Sequence, residues 1–282
     1  VMKPARFDYA TPQSASEVST QLSNGNGNTK LVAGSQSLGP MLNLRLARPE
    51  RLLDVSALRD LREVRETASG CEIGASITHA EIEDGDINDP TNGWLREAAA
   101  NIAHRAVRNR GTLGGSLAHA DPAADWVIVM TGLGATVLID GSKGRREVAM
   151  EDFVTGPFET ALSQNELITA VRVPKFAASA RWGYWKFVRQ VGEFAKASAT
   201  VLVEPDKESA RIAIGALGRQ PLVLGTETSK DLLESRIQTA EALSAALPNR
   251  TVADLSMHTA ALNKAIALAQ ENNSSSDGGS TA

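Results

Sequence analysis

The sequence is short of thiols. Cys71 is its single cysteine, so the chain forms no internal disulfide and cannot supply the four thiolates of an iron–sulfur cluster. Histidine is nearly as scarce: His79, His104, His119 and His258 are the whole set. No two of them stand at a metal-binding spacing such as His-Glu-x-x-His, which argues against a protein metal site. Positive charge is not in surplus either. Lys and Arg number 29 against 33 Asp and Glu, for a net charge of -4, so nothing draws the chain to nucleic acid or to an anionic membrane. No apolar run approaches the length that spans a bilayer, and the amino terminus lacks the charged-then-apolar layout of a signal peptide; the expected location is the cytoplasm. What remains is an ordinary globular composition and, at 282 residues, enough chain for two or three substructures around a sizeable core.

Patterns of apolar residues and turn formers mark out the elements. Residues 1–9 read as an extended lead-in. Ser14-Ala15-Ser16-Glu17 has the form of a capping box, with Val18 and Leu22 on one face of the helix it starts. The tract 23–28 carries two Asn-Gly pairs and is expected to turn. Lys30-Leu31-Val32-Ala33 then reads as a short strand, and 51–55 as a second short apolar run. The alternation of Ile73, Ala75 and Ile77 predicts a half-buried strand. Leu95, Ala98, Ile102, Ala103, Ala106 and Val107 recur at helical spacing and predict one helix that stops before Arg110. Asp121-Pro122 predicts a further helix, with Asp as N-cap and Pro in first position, ending at Gly132-Leu133-Gly134. Strands are expected over 135–139 and 166–173.

A change of character at 174–179 marks a linker. Beyond it, 181–188, 197–203 and 210–217 predict three antiparallel strands. One helix carrying Ile237, Ala240 and Leu243 follows, then another carrying Val252, Leu255, Leu262, Ile266 and Ala269, capped by Thr251-x-x-Asp254. The Ser-, Gly- and Asn-rich residues 272–282 are expected to be disordered. There is no internal repeat.

The most legible chemistry is anion binding by backbone. Leu31-Val32-Ala33-Gly34-Ser35-Gln36-Ser37-Leu38 places a strand before a tight turn of small polar residues, where main-chain N–H groups can converge unobstructed. Thr112-Leu113-Gly114-Gly115-Ser116 offers a second such turn, with a hydroxyl at each end. A diphosphate needs many donors in a small volume, and two turns supply them where one could not. Each turn alone also fits an ordinary strand end or bulge. Gly132-Leu133-Gly134 is not a dinucleotide loop, because the residues before it look helical and the third glycine is missing.

Taken together, LVAGSQSLGPMLNLRL (31–46), RNRGTLGGSLAHADPAADW (108–126) and YWKFVRQVGEFA (184–195) resemble, in content, order and separation, the flavoprotein (medium) subunits of the molybdenum hydroxylase family. The resemblance spans nearly the whole chain. It implies an α+β fold: a two-part FAD-binding domain of the vanillyl-alcohol-oxidase (PCMH) type over 1–176, with subdomains of about 1–56 and 57–176, then a small C-terminal domain over 177–271 with a three-stranded antiparallel sheet and helices. It implies FAD held without a covalent link, and molybdopterin and [2Fe–2S] clusters only on a large and a small partner subunit, assembled as a dimer of heterotrimers. The chain would stand at the end of an electron relay, with no catalytic base and no metal of its own. In that reading Leu31, Val32, Ala33, Gly34, Ser35, Gln36, Ser37 and Leu38 form the first FAD loop, with Ala33 to Ser37 on the pyrophosphate. Thr112, Gly114, Gly115 and Ser116 belong to the second. Asp125 stands where the family has a carboxylate contacting the FAD, Lys186 beside the flavin ring, where it would favour the anionic reduced form, and Ile102 and Ile168 at apolar or backbone contacts.

The sequence departs from the family pattern in places. Ser35 replaces the usual second glycine of the first loop, at a cost of roughly 1 kcal/mol if that position is left-handed, which a bond from its hydroxyl to a phosphate would offset. Glu193 stands where Asp is common. The cysteine-bearing insertion of 4-hydroxybenzoyl-CoA reductases is missing. The large subunit would decide the substrate of the whole complex, for which the general look of the motifs favours the expectation of an N-heterocyclic aromatic over carbon monoxide. Two other readings stay open: a self-sufficient FAD oxidoreductase of the same broad fold, and an assembly module without FAD, for which Ser35 is the sole support. Residue by residue there are plainer roles too. Lys186 reads as a solvated strand charge, Asp125 as a first-turn acid, Asp121 as a cap and His119 as a loop hydrogen-bonding group. Arg108 and Arg110 read as ion-pair or partner contacts, and Trp182, Tyr184 and Trp185 as core or interface aromatics.

Overall fold

Three sheets organise the computed structural model, which describes residues 3–25, 27–68 and 70–271. The first is parallel. Its strands β1 (Asp8–Ala10), β2 (Thr29–Val32) and β3 (Arg51–Asp54) lie in the order β1-β3-β2. Helix α1 (Ala15–Asn24) joins β1 to β2, and Ser14 Oγ accepts the Glu17 N–H as the capping pattern predicts. The reciprocal arm is missing: Glu17 turns its carboxylate to the Gln13 N–H, 2.7 Å away, and to Gln21. Val18 and Leu22 pack with Leu53, Val55 and Leu61. A short helix, α2 (Leu38–Asn43), follows β2. Because the three strands run the same way, the segments leaving them gather along one edge, as in other open parallel sheets.

The second sheet is antiparallel. It contains β4 (Val64–Thr67), β5 (Gly70–Gly74), β6 (Thr136–Gly141), β7 (Arg146–Ala149) and the long β10 (Glu166–Pro174), in the order β4-β5-β10-β6-β7. Strand β5 is buried at all five residues rather than at alternate ones. The carboxylate of Glu72 survives there because Arg65 and Arg172 both pair with it. Between β5 and β6 run α3 (His79–Asp84), α4 (Trp94–Ala100), α5 (Arg105–Arg108), α6 (Leu113–His119) and α7 (Asp125–Leu133). A short α8 (Met150–Phe153) and the hairpin of β8 (Val154–Gly156) and β9 (Glu159–Thr160) precede β10.

Two helix predictions need correction here. The single helix expected over 95–107 is broken into α4 and α5, with Ala103 in left-handed backbone (φ +42°) between them. Helix α7 starts at Asp125, not at Pro122: Asp121 instead accepts the Ala123 N–H in a turn. Its predicted end is correct, since Gly134 closes it with φ +63°.

The third sheet holds β11 (Arg181–Phe187), β12 (Ala197–Glu204), β13 (Ser209–Gly215) and β14 (Leu222–Val223), antiparallel and in chain order. The three predicted strands are joined by a fourth of two residues. Helices α9 (Thr226–Leu233), α10 (Thr239–Ala246) and α11 (Val252–Glu271) cover one face, three where the sequence predicted two. Thr251 Oγ1 does cap the Asp254 N–H, at 3.2 Å. The disorder expected over 272–282 lies outside the described residues. Against the other face of this sheet lies α7, whose nine residues are all buried. A helix apolar on every side must have neighbours on every side. The largest core cluster accordingly runs from β5 and β10 through α7 to Trp182, Tyr184, Leu202 and Ala213. Among the described residues no helix is long and apolar enough to cross a membrane.

Candidate functional site

The turn after β2 is held open. Among the described residues the main-chain N–H groups of Gly34, Ser35, Gln36 and Ser37 donate to no protein acceptor. Ser35 sits in left-handed backbone, φ +61°, so the condition for its conformational penalty is met. Its hydroxyl rests against α2: a methyl group added at Gly39 would lie 2.9 Å from Ser35 Oγ. Gln36 folds back, its Nε2 donating to Gly34 O at 2.9 Å. Ser37 begins α2 without a side-chain capping bond. Leu31, Val32, Ala33 and Leu38 flank the turn as apolar packing, Val32 and Leu38 with Leu52 and Leu31 and Ala33 on the α1 side.

The stretch at 112–116 is a different object. It is the first turn of α6, with Thr112 as N-cap. Four of its amides are paired inside the protein: Leu113 N–H on Ile77 O, Gly114 N–H on Ala75 O at 2.8 Å, Gly115 N–H on Thr112 Oγ1 at 3.1 Å, Ser116 N–H on Thr112 O. A methyl group at Gly114 would lie 2.5 Å from Ala75 Cβ, so that glycine answers to packing, not to ligand approach. Of the two turns expected to supply donors together, the first thus has its amides open and the second has those of Leu113 to Ser116 paired within the protein. The two stretches are nonetheless neighbours. A methyl group at Gly34 would lie 1.8 Å from the Arg110 carbonyl oxygen and 2.9 Å from Gly111 Cα, so the first turn rests directly on the approach to the second. Gly111 is supported from elsewhere by His79, whose Nε2 would lie 2.6 Å from a methyl group there and whose N–H donates to Gly111 O. The His79 Nδ1 accepts the Trp126 indole N–H at 2.9 Å. Burial, with the Arg108 charge second, pulls the His79 pKa down to about 4, leaving a neutral ring at pH 7.

From Arg108 a cleft of about 480 Å³ opens along the seam between the α4–α5 segment and β11. Glu97, Asn101, His104 and Arg105 line one side, and Tyr184, Lys186, Val191 and Gly192 another. Lys186 is not a solvated charge. Its side chain is 9% exposed, and Nζ lies 2.7 Å from Asp125 Oδ1 and donates to Asn101 O at 2.7 Å. Tyr184 donates its hydroxyl to the same Asp125 oxygen. Burial pushes the Asp125 carboxyl up while Lys186 opposes it, and burial with the neighbouring Asp125 charge holds the Tyr184 phenol well above its ordinary value. The structure thus joins Asp125 and Lys186 to each other. Ile102 is half-buried, its carbonyl taking an N–H from Arg108. Ile168 is buried in the main core opposite Ile139 and does not line this cleft.

Other single residues resolve simply. His119 meets Phe158 at a tilt, with ring centroids 5.2 Å apart. Trp182 and Tyr184 are buried, whereas Trp185 is 42% exposed, with Lys264 over its ring. Arg108 pairs with Glu83. The sequence reading passed over His79 and Asn101. A signal for the first existed, since Thr78-x-x-Glu81 is a complete capping box that opens α3 at His79. Asn101 acts through its carbonyl, which no residue pattern announces.

Comparison with known proteins agrees with this architecture. Residues 5–176 match the family model described as the FAD binding domain in molybdopterin dehydrogenase. The carbon monoxide dehydrogenase medium chain of Hydrogenophaga pseudoflava is 35% identical over 246 residues, 87% of this chain and 86% of that one. The nicotine 6-hydroxylase medium subunit of Paenarthrobacter nicotinovorans is 35% identical over 253 residues, 87% of each chain. Among solved structures, the Hydrogenophaga pseudoflava carbon monoxide dehydrogenase lacking the Mo-pyranopterin moiety superposes with a TM-score of 0.86 at 31% identity. The superposition covers 96% of this chain and 99% of that one.

Proposed function

The chain belongs to the FAD-binding medium subunits of the molybdenum hydroxylases, and from that membership we propose that it holds FAD non-covalently and passes electrons from the [2Fe–2S] clusters of a partner chain to an external acceptor. A bound flavin would supply the exchange between one-electron delivery and two-electron acceptance. The observation that carries the reading is the turn at Gly34 to Ser37, four consecutive uncommitted amides braced on the Arg110–Gly111 backbone. Such a nest favours an anion of the size of a diphosphate.

This chain's residues would act by binding and positioning. The first turn, flanked by Leu31, Val32, Ala33 and Leu38, would take the diphosphate. Thr112, Gly114, Gly115 and Ser116 would form the wall beside it. Ile102 and Ile168 would contribute apolar or backbone contacts, and Asp125 and Lys186 would face the ring end of the cofactor in the cleft. There the field is that of an ion pair and not of a lone ammonium, because Asp125 Oδ1 stands 2.7 Å from Lys186 Nζ. The preference for an anionic reduced flavin is therefore weaker than a free lysine would give.

In sequence the division would be an FAD-binding domain of PCMH type over 1–176 and a C-terminal domain over 177–271. The partners would be a large molybdopterin subunit and a small iron–sulfur subunit in a cytoplasmic dimer of heterotrimers. The test is direct. The purified full chain should show an oxidised-flavin absorption spectrum and release FAD on acid denaturation. A colourless protein that takes up no added FAD would overturn the assignment.

A further inference from the structure

The junction between the two stretches brings a diphosphate-sized anion four amides from the first turn and none from the first turn of α6. Amides carry only partial charge, so a site for two phosphates built this way is short of cations. Three arginines lie close by in sequence. Arg105 is committed to Glu83, Asp84 and Asn109. Arg108 engages both oxygens of Glu83 at 2.7 and 2.9 Å and the carbonyls of Ile102 and Ala103. Arg110 is different: it is exposed, and among the described residues its guanidinium makes no hydrogen bond and no ion pair.

Its position is fixed by the backbone. The Arg110 carbonyl is the atom on which Gly34 rests, so its side chain starts at the point where the first turn meets the approach to α6. Its charge reaches the end of β3, where Asp54 lies in register with Val32, just before the turn. Asp54 does not capture it. That carboxylate already takes the Ser56 N–H at 2.8 Å and the Tyr9 hydroxyl. Burial alone would push the Asp54 carboxyl up, but these bonds, with the Arg110 charge, hold it below the usual carboxylate range. Asp54 and Tyr9 thus leave uncommitted a guanidinium whose own backbone carbonyl rests against the turn that carries the four uncommitted amides.

We propose that Arg110 is a cofactor-binding side chain, supplying the positive charge for the diphosphate of FAD at the first turn. The inference rests on the FAD reading above. A guanidinium suits the task because its planar fork can take two phosphate oxygens at once. It adds a side-chain contact at a position where neither stretch of main chain can provide one.

The experiment is a titration of FAD into the apoprotein of the full chain, followed by flavin fluorescence, for wild type, R110Q and R110K at low and high salt, with ADP as a competitor that has the diphosphate but no ring. Because the side chain is exposed, both variants should melt as wild type does. R110Q should bind FAD at least about tenfold more weakly at low salt, with ADP weakened by a similar factor, and the deficit should shrink as salt screens the charge. R110K should recover part of the loss. Equal FAD affinity in R110Q and wild type overturns the inference and leaves the FAD reading intact; if R110Q then fails to join a partner subunit, the arginine is a docking residue instead. A loss for FAD without one for ADP, or identical losses in R110Q and R110K, also overturns it. A wild-type chain that binds no FAD removes both readings together.

Discussion

The turns at 34–37 and 112–116 look alike as strings of small and hydroxylated residues, and they do opposite things. The first leaves its amides uncommitted and spends a strained backbone, Ser35 at φ +61°, to do so. The second satisfies every amide from Leu113 to Ser116 internally and is a wall. Small residues therefore mark places where backbones come close, and only the hydrogen-bond ledger tells which backbone has donors left.

Gly34→Val should separate the two most forcefully. The nearest atom to the added carbon is a backbone oxygen at 1.8 Å, which no rotamer relieves. A loss of more than about 3 kcal/mol in unfolding experiments, together with loss of FAD, is expected. Next in size is a pH effect confined to the floor of the second stretch. The buried His79 has its folded pKa depressed to about 4 from an ordinary 6.5, so its contribution is fully present above the unfolded value. It is lost as pH falls through the window from 6.5 to 4, by roughly 3 kcal/mol in all. His79→Gln, which can still accept the Trp126 N–H but does not titrate, should flatten that acid limb in denaturant titrations.

A smaller loss, about 2 kcal/mol, is expected for Gly114→Ala, whose new methyl meets Ala75 Cβ at 2.5 Å. Adding Ala75→Gly should restore part of the stability and return FAD affinity to the wild-type value. A Gly114→Ala protein that melts normally yet has lost FAD would mean the second stretch touches the cofactor after all. The smallest effect belongs to Ser35→Gly. Relief of the left-handed strain, offset by the freedom of glycine in the unfolded chain, should raise stability by at most about 1 kcal/mol with FAD retained. A fall in FAD affinity instead would give the Ser35 hydroxyl a role at the phosphate.

Much of this was legible in the residues. Periodicity and caps located β2, β10, the strands of the third sheet and α11, because in these segments burial follows a simple repeat. At β5 it found a strand but not its burial, which is complete and includes Glu72, since a strand covered on both faces has no true alternation to read. The kink at Ala103 was invisible for another reason: apolar spacing continues across it, and the break is stabilised by Arg108 donating to the Ile102 and Ala103 carbonyls. At the site, the residues of the first turn were found and their neighbourhood with 112–116 was foreseen, but the internal pairing of the second set was not. Half of that pairing, the bonds of Leu113 and Gly114, depends on Ile77 and Ala75, more than thirty residues away in the chain. Lys186 likewise could be named, while its partnership with Asp125 needed the third sheet to fold back onto α7.

The complete enclosure of α7 bears on how this chain can be recombined. Gly132 leaves room for no more than a hydrogen beneath Thr200, and Gly215 does the same opposite Ile128. A crossover near residue 176, where the family model ends, would split this contact surface between two parents. Chimeras of related medium subunits joined there inherit mismatched halves of one interior, whereas those that move α7 along with the strands beneath it keep a matched set.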